Sequence, residues 1–168
     1  MIKKLMLVAA LLLPMFASAQ SIKIGLVDMQ SILTLMPETK AAQTQIADVS
    51  KKYEDEYAKL NEEMQRMYEQ IQQMSEDEPA AIKERKTRDF ADKQQKIQQF
   101  LQTADQDIQK LQSDLMAPIV AKIHTAVESV GKEGGYTLIQ PLDQQLVLYY
   151  QEPCSDITSL VKAKLGLQ

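Results

Sequence analysis

From Ile46 onward the chain sets down an apolar side chain at every third or fourth position: Ile46, Val49, Tyr53, Tyr57, Leu60, Met64, Met67, Ile71 and Met74. After Ser75-Glu76-Asp77-Glu78-Pro79 the pattern resumes at Ile82 and Phe90, then runs through Ile97, Leu101, Ala104, Ile108, Leu111 and Leu115. Such spacing keeps side chains on one face of a 3.6-residue helix, so each run predicts a long helix with one narrow apolar stripe. Two arrangements satisfy the pattern: a single uninterrupted coiled coil, or a hairpin folded at the break. Pro79 favours the hairpin, because inside a helix it loses a hydrogen bond and its ring clashes with the preceding turn. In the hairpin Ser75 is expected to cap the second helix, with Glu78 three residues later as its capping-box partner. Folding there sets Tyr53 against Leu101, Tyr57 against Ile97, Met64 against Phe90, and Ile71 with Met74 against Ile82.

The pattern changes at both ends. Ile22, Ile24 and Leu26 alternate with Lys23 and Gly25, which predicts a strand with one polar-leaning face. Asp28 is placed to cap a short helix that ends before Pro37. Beyond Pro118 the apolar positions crowd together (Ile119, Val120, Ile123, Val127, Val130), as in a helix that meets several neighbours. Gly134-Gly135 leads into a second strand at Tyr136 to Ile139, Pro141 to Gln145 reads as a turn, and Leu146 to Tyr150 as a third strand. Ser155 or Asp156 then caps a last amphipathic helix from Ile157 to Leu165, with Gly166 as its stop. The expectation is an α+β chain. Its small β body is built from residues 20–36 and 118–168, and a helical arm spans residues 37–117. The sheet is too small to be comfortable alone, so self-association through Ile24, Leu26, Leu138, Leu146 and Leu148 is expected.

Composition sharpens this. Residues 1–19 carry Lys3 and Lys4, an apolar run from Leu5 to Leu13, and Ala17-Ser18-Ala19 before Gln20, the layout of a cleavable export signal. A membrane anchor is the competing reading, but the run is too short to span a bilayer. Setting the leader aside, the 19 Lys and Arg lose two, against 23 Asp and Glu, so the remaining chain is acidic. Nucleic-acid binding is disfavoured, since it needs a dense basic surface. One cysteine, Cys154, rules out a disulfide framework and reads as a small loop residue; one histidine, His124, leaves no basis for a zinc cluster. No cofactor, metal site or catalytic group is expected, and the chain does not read as an enzyme. Lys83, Arg85, Lys86, Arg88 and Lys93 form a local basic run that reads either as a solvated helix face or as a membrane-surface contact.

The layout and its flanking motifs resemble the Skp/OmpH family of periplasmic chaperones for outer-membrane proteins. The matching stretches are KIGLVDMQSIL at 23–33, MAPIVAKIHTAVESVGKEGGYTLIQ at 116–140 and DITSLVKAKLG at 156–166. The resemblance implies a periplasmic homotrimer: three chains share a β body, and three helical arms enclose an unfolded β-barrel precursor and keep it from aggregating. By position, Ile24, Leu26 and Val27 match the first strand and Asp28 its helix cap. Tyr136 and Leu138 match the next strand; Asp156, Ile157, Thr158 and Val161 match the closing helix. Holding an unfolded chain asks for adaptable apolar contacts, which Met64, Met67, Met74 and Phe90 could supply if they do not serve the hairpin seam alone. Tyr68, off the stripe, is the first candidate for client contact. A trimeric coiled-coil adaptor of the envelope is the alternative.

Overall fold

The computed structural model describes residues 22–143 and 146–167; the segment expected to be an export signal and part of the turn expected at Pro141 to Gln145 lie outside them. Two long helices dominate. After strand β1 (Ile24–Val27) and a short helix α1 (Met29–Leu35), α2 runs over Pro37–Gln72 and α3 over Ala80–Gly134. Strands β2 (Leu138–Pro141) and β3 (Cys154–Asp156) and a final helix α4 (Thr158–Lys164) complete the chain. With 36 and 55 residues, the long helices extend about 54 and 82 Å at 1.5 Å per residue. They fold back on each other as a hairpin, and the returning one overshoots into the body.

The tip is built differently from the capping box expected of Ser75. Pro79 occupies the cap position of α3 with no side-chain hydrogen bond. Ser75 acts within the turn: its Oγ accepts from the Asp77 amide at 3.3 Å and its carbonyl from the Glu78 amide at 3.2 Å. Pro118 lies inside α3, which continues through it. The helix gives up one backbone hydrogen bond there, and Pro118 lines a cavity with Ala41 and Ala42 at the hairpin shoulder.

The sheet has order β2-β1-β3, and both pairings are parallel. Ile24 sits opposite Leu138 and Cys154, and Leu26 opposite Gln140 and Asp156. The third strand is therefore Cys154–Asp156, and residues 146–150 carry no strand. Instead the amides of Leu146 and Val147 both donate to the Asp143 carbonyl, turning the chain. Both edges of β1 are taken by β2 and β3, so residues 146–150 cannot pair with the central strand. Cys154 is accordingly a half-buried strand residue, not a loop residue. The Gly25 face is not polar either. Gly25 is buried, and a Cβ there would approach Ile157 Cδ1 at 3.0 Å and Ile139 Cγ1 at 3.1 Å.

The core gathers Val27, Ile32, Met36, Ala42, Ile119, Ile123, Ala126, Val130, Ile157 and Val161 from both ends of the chain. Polar bonds tie the same ends together. Asp28 Oδ1 caps α1 by accepting from the Ser31 amide at 2.8 Å, while the Asp28 amide donates to Thr158 Oγ1 at 2.9 Å. Lys162 Nζ donates to Ser31 Oγ at 2.6 Å. Asp156 Oδ1 accepts from the Thr158 amide at 2.8 Å, fixing the start of α4, and Gly166 (φ 73°) stops it. The two terminal motifs thus form one joint. Ile123 is fully buried at its centre. Ile123→Ala should cost about 2–5 kcal/mol, read as a lower midpoint in urea unfolding of the body.

Candidate functional site

The arm is held by a thin seam. Between Ser50 and Ala104, only Ile97 and Ala104 are buried; Met64, Met67, Met74 and Phe90 are half-buried, and Tyr68 is 50% exposed. An arm of this kind keeps apolar surface within reach of solvent along its length, at the cost of low contact density.

Register within the seam differs slightly from expectation. Tyr53 packs on Phe100, with ring centroids 5.7 Å apart, one position from the Leu101 expected opposite it. Phe90 lines a cavity with Met64 as expected, but it also packs on Tyr68 at 6.0 Å and 43° between planes. Tyr68 is therefore not free of the hairpin; it closes one edge of it. Asn61 and Gln65 complete the rim of that cavity. Apolarity alone could not single them out, but their spacing could, because residues 61, 65 and 68 share a helix flank. Lys93 belongs to the opposite edge, where its ammonium bonds Glu63 across the hairpin. Nearer the body, Tyr53 OH donates to Asp107 Oδ2 at 2.6 Å, and Lys122 bonds Glu38.

These ties set the titration of the surface. Hydrogen bonds from Lys93 and Lys122 hold the Glu63 and Glu38 carboxyls below their ordinary value of 4.5, and the Asp107 carboxylate raises the Tyr53 hydroxyl. A carboxylate lowered by folding contributes stability above its unfolded pKa and loses it as pH falls through the folded one. Melting temperature should therefore drop a little between pH about 5 and about 3, and Glu63→Gln should shrink that drop. Exposed pairs contribute little, so the difference is small.

In the body, Leu26 is buried within its own chain and Ile24 is half-buried, whereas Leu138 is 46% exposed. Leu146 and Leu148 stand out in solvent at 81% and 89%, flanked by exposed Tyr149 and Tyr150. The structure thus groups the named residues into two surfaces: Met64, Tyr68 and Phe90 on the arm, and Leu146 with Leu148 on the body. Met67 and Met74 remain in the seam without joining the Tyr68 cavity. Among the described residues no helix is long and apolar enough to cross a membrane.

A sheet formed from both chain ends and a hairpin arm growing from it agree with the sequence comparison. The family described as outer membrane protein (OmpH-like) matches residues 23–165. The chain belongs to the OmpH-like family. The match starts at Lys23, beside β1, and ends at Leu165, so it takes in the joint at Asp28 and Thr158 as well as the arm. At the level of single proteins, the chain is 26% identical over 159 residues to the chaperone protein Skp of Yersinia enterocolitica, covering 94% of this chain and 95% of that protein. OmpH-like membership accounts for the pairing of short terminal motifs with a long, weakly patterned middle. The motifs build a joint of fixed geometry, and the middle needs only a stripe.

Proposed function

We propose that this protein is a periplasmic chaperone that binds unfolded outer-membrane β-barrel precursors and keeps them from aggregating, acting as a homotrimer. The observation that carries the reading is the arm: about 54 Å of helical hairpin whose methionine and aromatic side chains stay half-open to solvent. Similarity to a chaperone along nearly the whole chain supports it. Holding an unfolded chain needs many weak, adaptable contacts, and unbranched methionine side chains supply them. The exposed Leu146 and Leu148 support self-association, because an apolar patch at the end of a small sheet is covered most simply by another copy. Membrane contact has less support: Arg88 and Lys93 of the basic run already pair with the Glu84 and Glu63 carboxylates, and Lys83 donates to the Glu76 backbone carbonyl.

The test is dilution of a urea-unfolded outer-membrane β-barrel protein into buffer with and without the purified chain. Suppressed light scattering is the expected result; scattering equal to the control would refute the reading. The adaptor reading draws on one observation, that the most exposed leucines lie on the body and not on the arm. Co-purification from the native envelope separates the two. Several unfolded barrel proteins favour the chaperone, and one folded partner in fixed ratio favours the adaptor.

A further inference from the structure

The two flanks of the arm differ in charge. On one, Glu63 bonds Lys93 across the hairpin. On the other, the positions of α2 spaced by three and four residues are half-buried Asn61 and exposed Gln65, Tyr68 and Gln72, and none carries a charge. On the same flank of α3, reckoned by helix spacing from Phe90, Thr87, Gln94 and Gln98 are uncharged, and Lys83, nearest the tip, donates to the Glu76 carbonyl. Everywhere else on this part of α2 charge is dense: Glu62, Glu63, Arg66 and Glu69 fall within the same two turns. A neutral groove here is a local exception, and it has a centre. Tyr68 and Phe90 meet at 6.0 Å over a cavity floored by Met64 and rimmed by Asn61 and Gln65. Gln72 Nε2 donates to Tyr68 OH at 2.8 Å, which holds the ring in place at the rim.

We infer that this flank is a binding groove for an extended, uncharged segment of an unfolded chain, with the cavity at Tyr68 and Phe90 taking one aromatic side chain of that segment. The inference rests on the holding activity proposed above and assigns it to one face of the arm. Four features select the occupant. A tilted aromatic pair beside a thioether offers a third ring both edge and face contacts. Carboxamides both donate and accept, so asparagine and glutamine on both walls can bond a peptide backbone running in either direction. From Asn61 to Gln72 the groove is about 16 Å long, the length of roughly five residues of extended chain. Mostly uncharged walls, beside which Glu69 Oε1 accepts from Gln65 Nε2 at 3.4 Å, disfavour charged segments, whose side chains would lose hydration.

The experiment uses the full assembled protein with an unfolded outer-membrane β-barrel as probe. A photoreactive side chain is placed at Gln65, in the groove, or at Gln70, on the opposite flank. Cross-linking from position 65 should exceed that from position 70 several-fold. In parallel, the Gln65→Glu, Gln94→Glu double substitution should raise the protein concentration needed for half-suppression of aggregation by roughly tenfold, a change readable on any affinity scale. Gln70→Glu should leave it unchanged. Equal cross-linking from both positions, or equal effects of both charge variants, with suppression intact in the unaltered protein, would overturn the groove while leaving the holding activity standing. No suppression by the unaltered protein would overturn both.

Discussion

Leu146→Ser with Leu148→Ser is expected to turn a three-chain particle into single, folded chains. The two leucines are 81% and 89% exposed within their own chain, so their removal breaks almost no contact of the monomer. Secondary structure by circular dichroism should therefore stay the same. In the proposed trimer the same side chains are expected to become buried, and each apolar side chain of that size is worth about 1.5–3 kcal/mol when fully covered. Six leucines per trimer would be lost and six hydroxyls left at the interface, so dissociation should be complete at micromolar concentration. Sedimentation velocity reads the outcome. A variant that still sediments as three chains would remove these residues from the interface and leave Leu138 and the sheet edges as its basis.

Tyr68→Ser and Phe90→Ser should act on holding and not on assembly, because both lie far out on the arm. Tyr68 is half exposed, and losing its ring removes an aromatic pair worth about 0.5–1.5 kcal/mol without opening the seam. The trimer and its helix content should survive, and suppression of client aggregation should weaken several-fold. Phe90 is half-buried between the helices, so its loss also loosens the outer arm and lowers helix content somewhat. Running the aggregation assay beside sedimentation on the same samples separates the effects. If both variants hold clients as well as the unaltered protein, the arms are spacers and the adaptor reading gains.

The helices were legible in the sequence because their apolar residues repeat at the helix period without a glycine between Pro37 and Val130. The shoulder at Pro118 was legible for the same reason: buried positions crowd together just beyond it, at Ile119, Ile123 and Ala126. The third strand was not legible. Leu146 to Tyr150 has the stronger alternation, yet Cys154–Asp156 pairs with β1, because the Leu26 carbonyl binds the Ile157 amide at 2.8 Å and Ile157 is fully buried. A strand depends on which edge is open, and sequence alternation does not report edges. The tip shows a similar limit: Ser75 has the residue type of a cap, but the turn takes its hydrogen bonds first. On the arm, the methionine stripe pointed to Met64 and Phe90. The contact between Tyr68 and Phe90 was not legible, because Tyr68 lies off the apolar stripe.

The central claim is that three copies of this chain hold one unfolded barrel protein in soluble form. Sedimentation velocity on a mixture of the purified protein with a labelled, urea-diluted outer-membrane β-barrel tests it most directly. The predicted result is a single labelled species whose mass is three chains plus one client, with no pelleted label. Labelled client found only in the pellet, beside protein sedimenting alone, would contradict the account.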